Sequence, residues 1–339
     1  MTKRPLRTCV LVLCVAMPVS VIAADSAPAP AAKPDLTLDV YAQPARLVVI
    51  DGGRRPNLRC SGPQAATRTV LLEAGFGGDS MAWARVQPLL AAQVRVCSYD
   101  RAGYGFSDGG PLPRSVEAET SDLHALVHAA ELPLPMVIVG HSLGSNIARR
   151  YDQRYPDDVA GLVLVDPPPQ QVGKFSPEYQ NQENEMLPQV LAAYRQCELG
   201  ARDGRLADPP PELKQCLRGP NPLFSDKLNA AVRASKSRPE FWQTVITGSQ
   251  AKATLFNDAV DPGEKHDKPV VVLTAVDAYV DAPPQIRDAL QPAQEATHKA
   301  LVKTSGHGKR VLVRGASHDI QIDKPTAVVD AITGMVAAH

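Results

Sequence analysis

The sequence predicts an α/β protein, with a mostly parallel central sheet flanked by helices and a helical cap inserted into it. Three observations predict this fold: short apolar β-branched segments, helical patterns between them, and one long polar interval that breaks the alternation. The 339 residues suffice for one large domain with an insertion, and a hydrophobic content of 44% excludes a disordered chain. Equal numbers of basic and acidic residues, 36 of each, argue against a nucleic-acid partner.

Residues 1–24 are predicted to be a secretory signal peptide rather than part of the fold. Three basic residues precede an apolar run, and small side chains end it at Ala23 and Ala24. The run is too short for a resident membrane helix, so we expect no stable span in the mature protein and a periplasmic or secreted location. An alternative interpretation is a lipoprotein signal at Cys14. Residues 25–35 are rich in Pro and Ala and are predicted to form a linker.

Seven segments have the apolar, β-branched composition of buried parallel strands. They are 46–50, 69–73, 94–98, 136–140, 161–165, 270–274 and 310–313. Helical patterns follow between them at 83–93, 115–131, 143–155, 284–303 and 325–338. Ser115 is expected to cap its helix, and Pro325 suits a first helical turn. The alternation predicts a core made of two parts, 36–166 and 269–339.

The interval between Val165 and Val270 does not continue the alternation. It is polar and rich in proline, and its patterns are helical at 183–197, 226–237 and 239–250. We therefore predict that 167–268 forms a helical cap over the sheet rather than a further sheet unit.

Four cysteines follow the predicted signal, and an oxidising compartment permits them to form disulfides. Cys60 and Cys97 lie in two strand-like stretches, whereas Cys197 and Cys216 flank one proline-rich loop. Of the three possible pairings we favour Cys60–Cys97 with Cys197–Cys216. The alternative is four buried free thiols.

The segment 136–155 carries the strongest chemical signal. An apolar strand runs directly into Gly140-His141-Ser142-Leu143-Gly144, and a helical pattern follows. A Gly-x-Ser-x-Gly pattern in this context is typical of a nucleophile elbow, a strained turn that holds the serine hydroxyl above the sheet. The alternative is an ordinary glycine-rich turn in which the serine caps the helix.

This motif resembles the elbow of the α/β-hydrolase superfamily, and further motifs match that superfamily in order along the chain. They are the oxyanion loop in 71–77, a YDRxGxGxSD-like loop in 97–108, the sixth strand in 161–167, and the end of the fold at Ser317-His318 and 323–325. The resemblance is closest to secreted or membrane-associated bacterial hydrolases of the esterase type, and it implies a cap after the sixth strand. Two positions depart from the pattern, Ser145 and Ala74, and neither removes a backbone donor.

The serine needs an adjacent base, because a serine at its free pKa is a weak nucleophile. Among eight histidines, His318 follows a predicted strand and lies on the side where crevices open in parallel sheets. His307 precedes the same strand and falls on the opposite edge. His124 and His128 stand four apart on a helix, which is a metal-binding spacing. Without a third ligand we interpret them as surface or packing residues, and we expect no metal and no cofactor.

The third member of the triad must be an acid that orients His318. The resemblance implies an acid after the seventh strand, and Asp277 holds that position. Asp166, at the end of the sixth strand, is the rival, and Asp281 is a further candidate.

An oxyanion hole requires two preorganised donors. By their positions, just after the serine and in the loop after the third strand, the backbone N–H groups of Leu143 and Phe76 are expected to be these donors. Phe76 and His141 are expected to line the substrate pocket. We interpret Arg101 and Glu73 as structural residues rather than catalytic ones.

Together these features predict a serine hydrolase that cleaves a carboxylic ester, or a related acyl bond, of a small molecule through an acyl-enzyme. Ser142 excludes epoxide hydrolases and haloalkane dehalogenases, which need a carboxylate nucleophile. An aminopeptidase or amidase with an amine site at Glu178, Glu183 or Glu185 stays open, as does a cofactor-free haloperoxidase. A non-catalytic binding protein on the same fold is the least favoured, since no triad member is missing. The sequence sets no expectation for the oligomeric state.

Overall fold

A computed structural model describes residues 33–64, 68–251 and 266–337. Its centre is an eight-stranded sheet in the order β1-β2-β4-β3-β5-β6-β7-β8. The strands are β1 Arg46–Leu47, β2 Asn57–Ser61, β3 Thr69–Glu73, β4 Arg95–Tyr99, β5 Met136–His141, β6 Val159–Val165, β7 Val270–Ala275 and β8 Gly308–Val313. Strand β2 runs antiparallel to both neighbours, and the other neighbouring pairs are parallel. The predicted signal peptide 1–24 and most of the predicted linker 25–35 lie outside the described residues.

Helices alternate with these strands in the core, lie in the interval between β6 and β7, and follow β8. They are α1 Gln87–Leu90, α2 Val116–Ala129, α3 Leu143–Arg154, α4 Pro177–Arg202, α5 Asp226–Lys236, α6 Pro239–Gln250, α7 Pro284–Lys303, α8 Ile320–Asp323 and α9 Pro325–Ala337. Ser115 caps α2, because its hydroxyl accepts a hydrogen bond from the Ala118 N–H at 3.2 Å. None of the helices in the described ranges is long and apolar enough to cross a membrane.

One predicted helix differs from the structure. In place of a continuous helix over 83–93, the chain forms a 3-10 turn at Ser80–Trp83 and the single turn α1. Pro88 explains the difference, because it lies in the first turn of α1. In the middle of a longer helix its ring would clash with the preceding turn and would remove one backbone hydrogen bond.

The strands alternate their side chains between two apolar cores, one on each face of the sheet. Leu71 and Ile138 belong to the core that α2 and α3 cover, whereas Val70 and Val139 belong to the core that α9 covers. Because both faces are buried, strands such as β3 are apolar almost throughout rather than alternating in polarity. Because helices cover both faces of the sheet, the strands are recognisable in the sequence as continuous apolar runs.

Between β6 and β7 the described chain forms the cap helices α4, α5 and α6, in agreement with the predicted fold class. The cap has an apolar core of its own, which includes Leu206, Leu213, Phe241 and Trp242. It is attached to the loop after β4 by Arg238, whose guanidinium donates to the carbonyls of residues 103, 105 and 107 at 3.0–3.2 Å. The cap is therefore held directly over the carboxyl ends of the strands.

The two disulfides join the pairs favoured from the sequence. Cys60 on β2 and Cys97 on β4 are register partners in the sheet and are bonded to each other. Cys197 and Cys216 are bonded inside the apolar core of the cap. One disulfide thus lies in each of the two parts of the protein.

Candidate active site

Ser142 lies in the turn between β5 and α3 with a strained backbone. Its φ is +50° and its ψ is −122°, a conformation that is unusual for any residue other than glycine. The turn is fixed by backbone hydrogen bonds, since the Ser142 N–H donates to Val165 at 3.0 Å and its carbonyl accepts from Ser145 at 2.8 Å. The Ser142 side chain makes no capping hydrogen bond to α3. The arrangement therefore has the geometry of a nucleophile elbow rather than of a helix-capping serine.

The two glycines of the motif are required by close packing around this turn. A Cβ added to Gly140 would lie 2.4 Å from the carbonyl oxygen of Gly144. A Cβ added to Gly144 would lie 2.4 Å from the carbonyl oxygen of Glu73. Both separations are too short for real atoms, so β3, β5 and α3 can approach this closely only around glycine.

His318 lies in the loop after β8, and its partner is Asp166. The two side chains meet at 2.6 Å between His318 Nδ1 and Asp166 Oδ2. The prediction that Asp277 orients His318 is therefore corrected: in this structure Asp166 is the carboxylate that contacts the histidine. Asp277 instead accepts a hydrogen bond from the Gly315 N–H at 2.7 Å and holds the loop after β8. Asp281 is exposed.

Sheet order explains why Asp166 rather than Asp277 reaches the histidine. Asp166 directly follows β6, which is the neighbour of β5 in the sheet, so its carboxylate lies beside the elbow. Asp277 comes two residues after the end of β7, which is one strand farther away. Like Ser142, Asp166 has a positive φ, of +42°, so both residues occupy strained positions at the ends of adjacent strands.

The Asp166 carboxylate is fully buried and has hydrogen-bond partners on both oxygens. Its Oδ1 accepts from the Ala275 N–H and from Gln294 Nε2, each at 2.9 Å, while Oδ2 faces His318. A buried carboxylate needs such donors, because burial without them would favour its neutral form. The acid is thus held in one orientation toward the histidine.

Helix α7 supplies side chains that support this acid. Gln294 contacts Asp166, and one turn later the His298 Nε2 donates to the carbonyl of Pro167 at 2.9 Å. Thr274 lies 2.7 Å from the other ring nitrogen of His298 and donates its hydroxyl there. Sequence reasoning missed Gln294 and His298. Their spacing of four on a helix with an apolar face was the available signal.

His141 contacts the loop that carries His318, and it is not among the residues that line the cleft described below. Its ring is buried, and its Nε2 donates to the carbonyl of His318 at 3.1 Å. Its Nδ1 accepts from Gln321 Nε2 at 3.3 Å. Burial and the neighbouring His318 hold the pKa of His141 well below its usual value, so the ring is neutral and its two nitrogens keep these roles.

The pKa of His318 is displaced in the opposite direction. Partial burial of the ring alone would lower it, but the hydrogen bond and charge of Asp166, together with the charge of Asp319, outweigh this effect. The pKa of His318 therefore lies above its usual value of 6.5. The His318 side chain is 40% exposed, so it is open to a substrate on its outer side.

The loop after β3 carries the second expected oxyanion donor, Phe76, and Arg101 holds this loop in place. Arg101 donates to the carbonyls of Ala74 and Gly75 at 2.5 and 2.6 Å and forms a buried ion pair with Glu73. A Cβ on Gly75 would lie 3.3 Å from the Ser142 Cβ, so the loop passes directly beside the elbow. These contacts agree with the structural roles expected for Glu73 and Arg101.

Beside the elbow is a small cleft with about 20 Å³ of space for water-sized molecules. It is lined by Phe76 and Leu143, by Ile147 one turn further along α3, and by Thr244 and Gly248 of the cap helix α6. Phe76, in the loop after β3, is thus one of the residues that line this cleft. The cap glutamates 178, 183 and 185 do not line this cleft, and Glu178 and Glu185 are exposed.

Comparison with curated proteins gives partial matches. YqjL of Bacillus subtilis, an uncharacterized protein, is 31% identical over 99 residues, which are 29% of this chain and 39% of that protein. A (lyso)-N-acylphosphatidylethanolamine lipase of Mus musculus is 33% identical over 109 residues, which are 31% of this chain and 32% of the lipase. The matches span about a third of the length of these relatives.

Solved structures match over most of the chain. A thermophilic esterase from Thermogutta terrifontis superposes with a TM-score of 0.58 at 21% identity, over 86% of this chain and 98% of the esterase. At this identity the likeness establishes the fold alone. The sequence profile described as the Alpha/beta hydrolase family matches residues 70–331, which include Ser142, Asp166 and His318. The chain therefore belongs to the alpha/beta hydrolase family.

Proposed function

We propose that this protein is a serine hydrolase that cleaves carboxylic esters, or related acyl bonds, of small molecules. In this proposal Ser142 is the nucleophile, His318 the base and Asp166 the acid. The observation that carries it is the 2.6 Å contact between His318 Nδ1 and Asp166 Oδ2, at the sheet edge where Ser142 occupies its strained turn. A buried acid, a histidine oriented by it and an elbow serine are the three parts that acyl transfer requires.

The reaction follows from the roles of these groups. Ser142 Oγ attacks the ester carbonyl while His318 Nε2 takes its proton, and Asp166 stabilises the imidazolium that forms. The tetrahedral intermediate then collapses, and the alcohol leaves with the proton from His318. The acyl group stays on Ser142 Oγ. Water attacks this acyl-enzyme with His318 again as base, which releases the carboxylic acid and restores the serine.

Two backbone N–H groups are proposed to stabilise the negative charge on the oxygen of the tetrahedral intermediate. Leu143 is the first residue of α3, where N–H groups have no partner inside the helix. Phe76 supplies the second N–H from the loop that Arg101 holds. A donor fixed before the reaction stabilises the developing charge without having to reorganise, and this is worth about 3–4 kcal/mol per donor.

The small size of the cleft favours esters with a short acyl group as substrates. The space in the cleft for water-sized molecules, about 20 Å³, is far below the volume of a typical ligand pocket, so only a small group fits beside the elbow. The bidentate ion pair between Arg114 and Glu119 also lines it, with both distances at 3.0 Å. A longer acyl chain would have to separate this buried ion pair, which is unfavourable because it would leave two buried charges without partners.

Kinetics on p-nitrophenyl esters of increasing chain length, run beside aminoacyl p-nitroanilides, test this function. We expect the highest kcat/KM for acetate to butyrate and a loss of at least about tenfold by the octanoate, as each excluded methylene is costly. The anilides are expected to remain intact. Cleavage of the anilides with no ester hydrolysis would contradict the proposal.

The displaced pKa of His318 predicts the pH dependence of this reaction. The histidine must be neutral to accept a proton, so kcat/KM should fall on the acid side with a midpoint above 6.5. Asp319→Asn removes one of the charges that raise this pKa and should move the midpoint to lower pH. Asp281→Asn, at an exposed position, is the matched control and should leave it unchanged. A midpoint below 6.5 in the unmodified protein would contradict this account.

We also propose that the protein acts after export, in an oxidising compartment. The basic and apolar pattern of residues 1–24 supports this, and so do the two disulfides, since such bonds persist where thiols are not kept reduced. N-terminal sequencing of the exported protein is expected to find Ala24 or Asp25 first. An intact N-terminus would contradict the proposal.

A further inference from the structure

A second cluster of reactive side chains lies at the edge of the sheet opposite Ser142. His124 and His128 stand on α2, and Asp158 ends the turn Pro156–Asp158 that leads into β6. Ser142 follows β5, whereas Asp158 precedes β6, and the two strands are parallel. The cluster and the serine are therefore on opposite edges. The sequence presents only the two histidines together, and folding adds the carboxylate.

The separations in this cluster suit a tetrahedral metal ion. One ligand atom from each of the three residues lies within 4.8 Å of the other two. Asp158 Oδ2 is 3.1 Å from His128 Nε2 and 3.9 Å from His124 Nε2. Two ligands at about 2.0–2.1 Å from a tetrahedral zinc ion are about 3.3 Å apart. Small side-chain rotations are thus sufficient for all three atoms to reach one ion.

Neighbouring aromatic side chains already orient these ligands. The His124 ring stacks on Tyr155 with centroids 3.7 Å apart, and its centroid is 4.2 Å from that of His128. The Tyr151 hydroxyl donates to Asp158 Oδ2 at 2.8 Å. Hydrogen bonds of this kind to a ligating group strengthen metal sites by fixing its direction. The His128 side chain is 49% exposed, so an ion can reach the cluster from solvent.

One neighbouring positive charge opposes a cation at this cluster. Arg154 is the opposing charge, with its guanidinium over the Tyr155 ring at 5.4 Å. The guanidinium is also hydrogen-bonded to Ser121 at 2.9 Å.

We propose that His124, His128 and Asp158 bind one divalent transition-metal ion of the zinc type, with water completing a tetrahedral shell. Two imidazoles and one carboxylate are a ligand set that suits Zn²⁺, whereas Mg²⁺ and Ca²⁺ prefer oxygen ligands. The bound ion ties α2 to the segment before β6 and stabilises the fold. It takes no part in chemistry at Ser142. This site departs from the sequence-based expectation of no metal.

Zinc titration of the untagged full chain, stripped with a chelator beforehand, tests the site. Competition with a chromophoric zinc indicator is expected to give one ion per chain. A hundredfold excess of free Zn²⁺ over Kd should raise the melting temperature by about 5 °C, because a ligand that binds only the folded state stabilises it. Failure to bind one ion, or binding with no rise in melting temperature, would overturn the proposal.

Substitutions then locate the ion. His124→Gln, His128→Gln and Asp158→Asn should each weaken zinc binding by at least about tenfold. The matched control is His307→Gln, an exposed histidine outside the cluster, which should bind as the unmodified chain does. Unchanged zinc affinity in Asp158→Asn would show that Asp158 is not a ligand and would overturn the proposal. If His124→Gln is unstable without metal, the half-exposed His128 carries the same test. Zinc binding that is unchanged in the double variant His124→Gln/His128→Gln would also overturn the proposal.

Discussion

Replacing Ser142 by Ala is expected to lower the turnover of a p-nitrophenyl ester by about 10⁵-fold or more while the protein stays folded. The substitution removes the only oxygen that the proposed mechanism uses to form the acyl-enzyme. His318 and Asp166 cannot replace it, because they act by preparing that oxygen for attack. Residues that work as such a unit lose nearly all their effect when one of them is removed.

The fold is expected to tolerate this change because the turn does not depend on the serine hydroxyl. The Ser142 side chain makes no capping bond, and the turn is held by backbone hydrogen bonds to Val165 and Ser145. Ser145→Ala is the matched control in the same motif. It removes a hydrogen bond from the Ser145 hydroxyl to the Gly140 carbonyl, at 2.8 Å. This should cost about 1 kcal/mol of stability and leave turnover within about tenfold.

A fluorophosphonate probe gives a second measurement that does not depend on the choice of ester. It should label the unmodified protein and Ser145→Ala but not Ser142→Ala, since it reacts with an activated serine oxygen. Melting temperatures of the three proteins show that any loss is not due to unfolding. Turnover in Ser142→Ala within tenfold of the unmodified protein would contradict the assignment of the elbow.

The sheet and the elbow were predictable because their signals are local in the sequence. Strands such as Val270–Ala275 are continuous apolar runs, and the elbow is five consecutive residues between a strand and a helix. The position of His318 follows from one further rule, that crevices open at the carboxyl ends of parallel strands. Each of these inferences needs only residues that are close together in the chain.

The acid and its support depend on contacts that the sequence does not display. Asp166 and Asp277 both follow parallel strands, and choosing between them requires the path of the loop that carries His318. The carboxylate of Asp166 is fixed by Gln294, which lies 128 residues farther along the chain. Asp158 joins the two histidines of α2 only because the turn before β6 passes the end of that helix. No local pattern contains these pairings.

The choice of acid leads to the second large expected effect. Asp166→Asn should lower turnover by about 10⁴-fold with little change in KM, as the equivalent change does in the chymotrypsin triad. The Asn oxygen can still accept from the Ala275 N–H and from Gln294, so the site keeps its shape. Its amide then donates toward His318 Nδ1. The proton is thereby held on Nε2, and this tautomer cannot take a proton from the serine.

Asp277→Asn is the matched control, because it changes the same functional group at the end of the next strand. Its side-chain oxygen can still accept from the Gly315 N–H, so the loop after β8 should remain in place. We expect its turnover to stay within about threefold of the unmodified protein, since the loop keeps its hydrogen bond. Both variants are to be measured for kcat, KM and melting temperature, which separates a wrong tautomer from unfolding. A folded, active Asp166→Asn beside an inactive Asp277→Asn would return the role of acid to Asp277, and His318 would then have to leave its 2.6 Å contact with Asp166 during turnover.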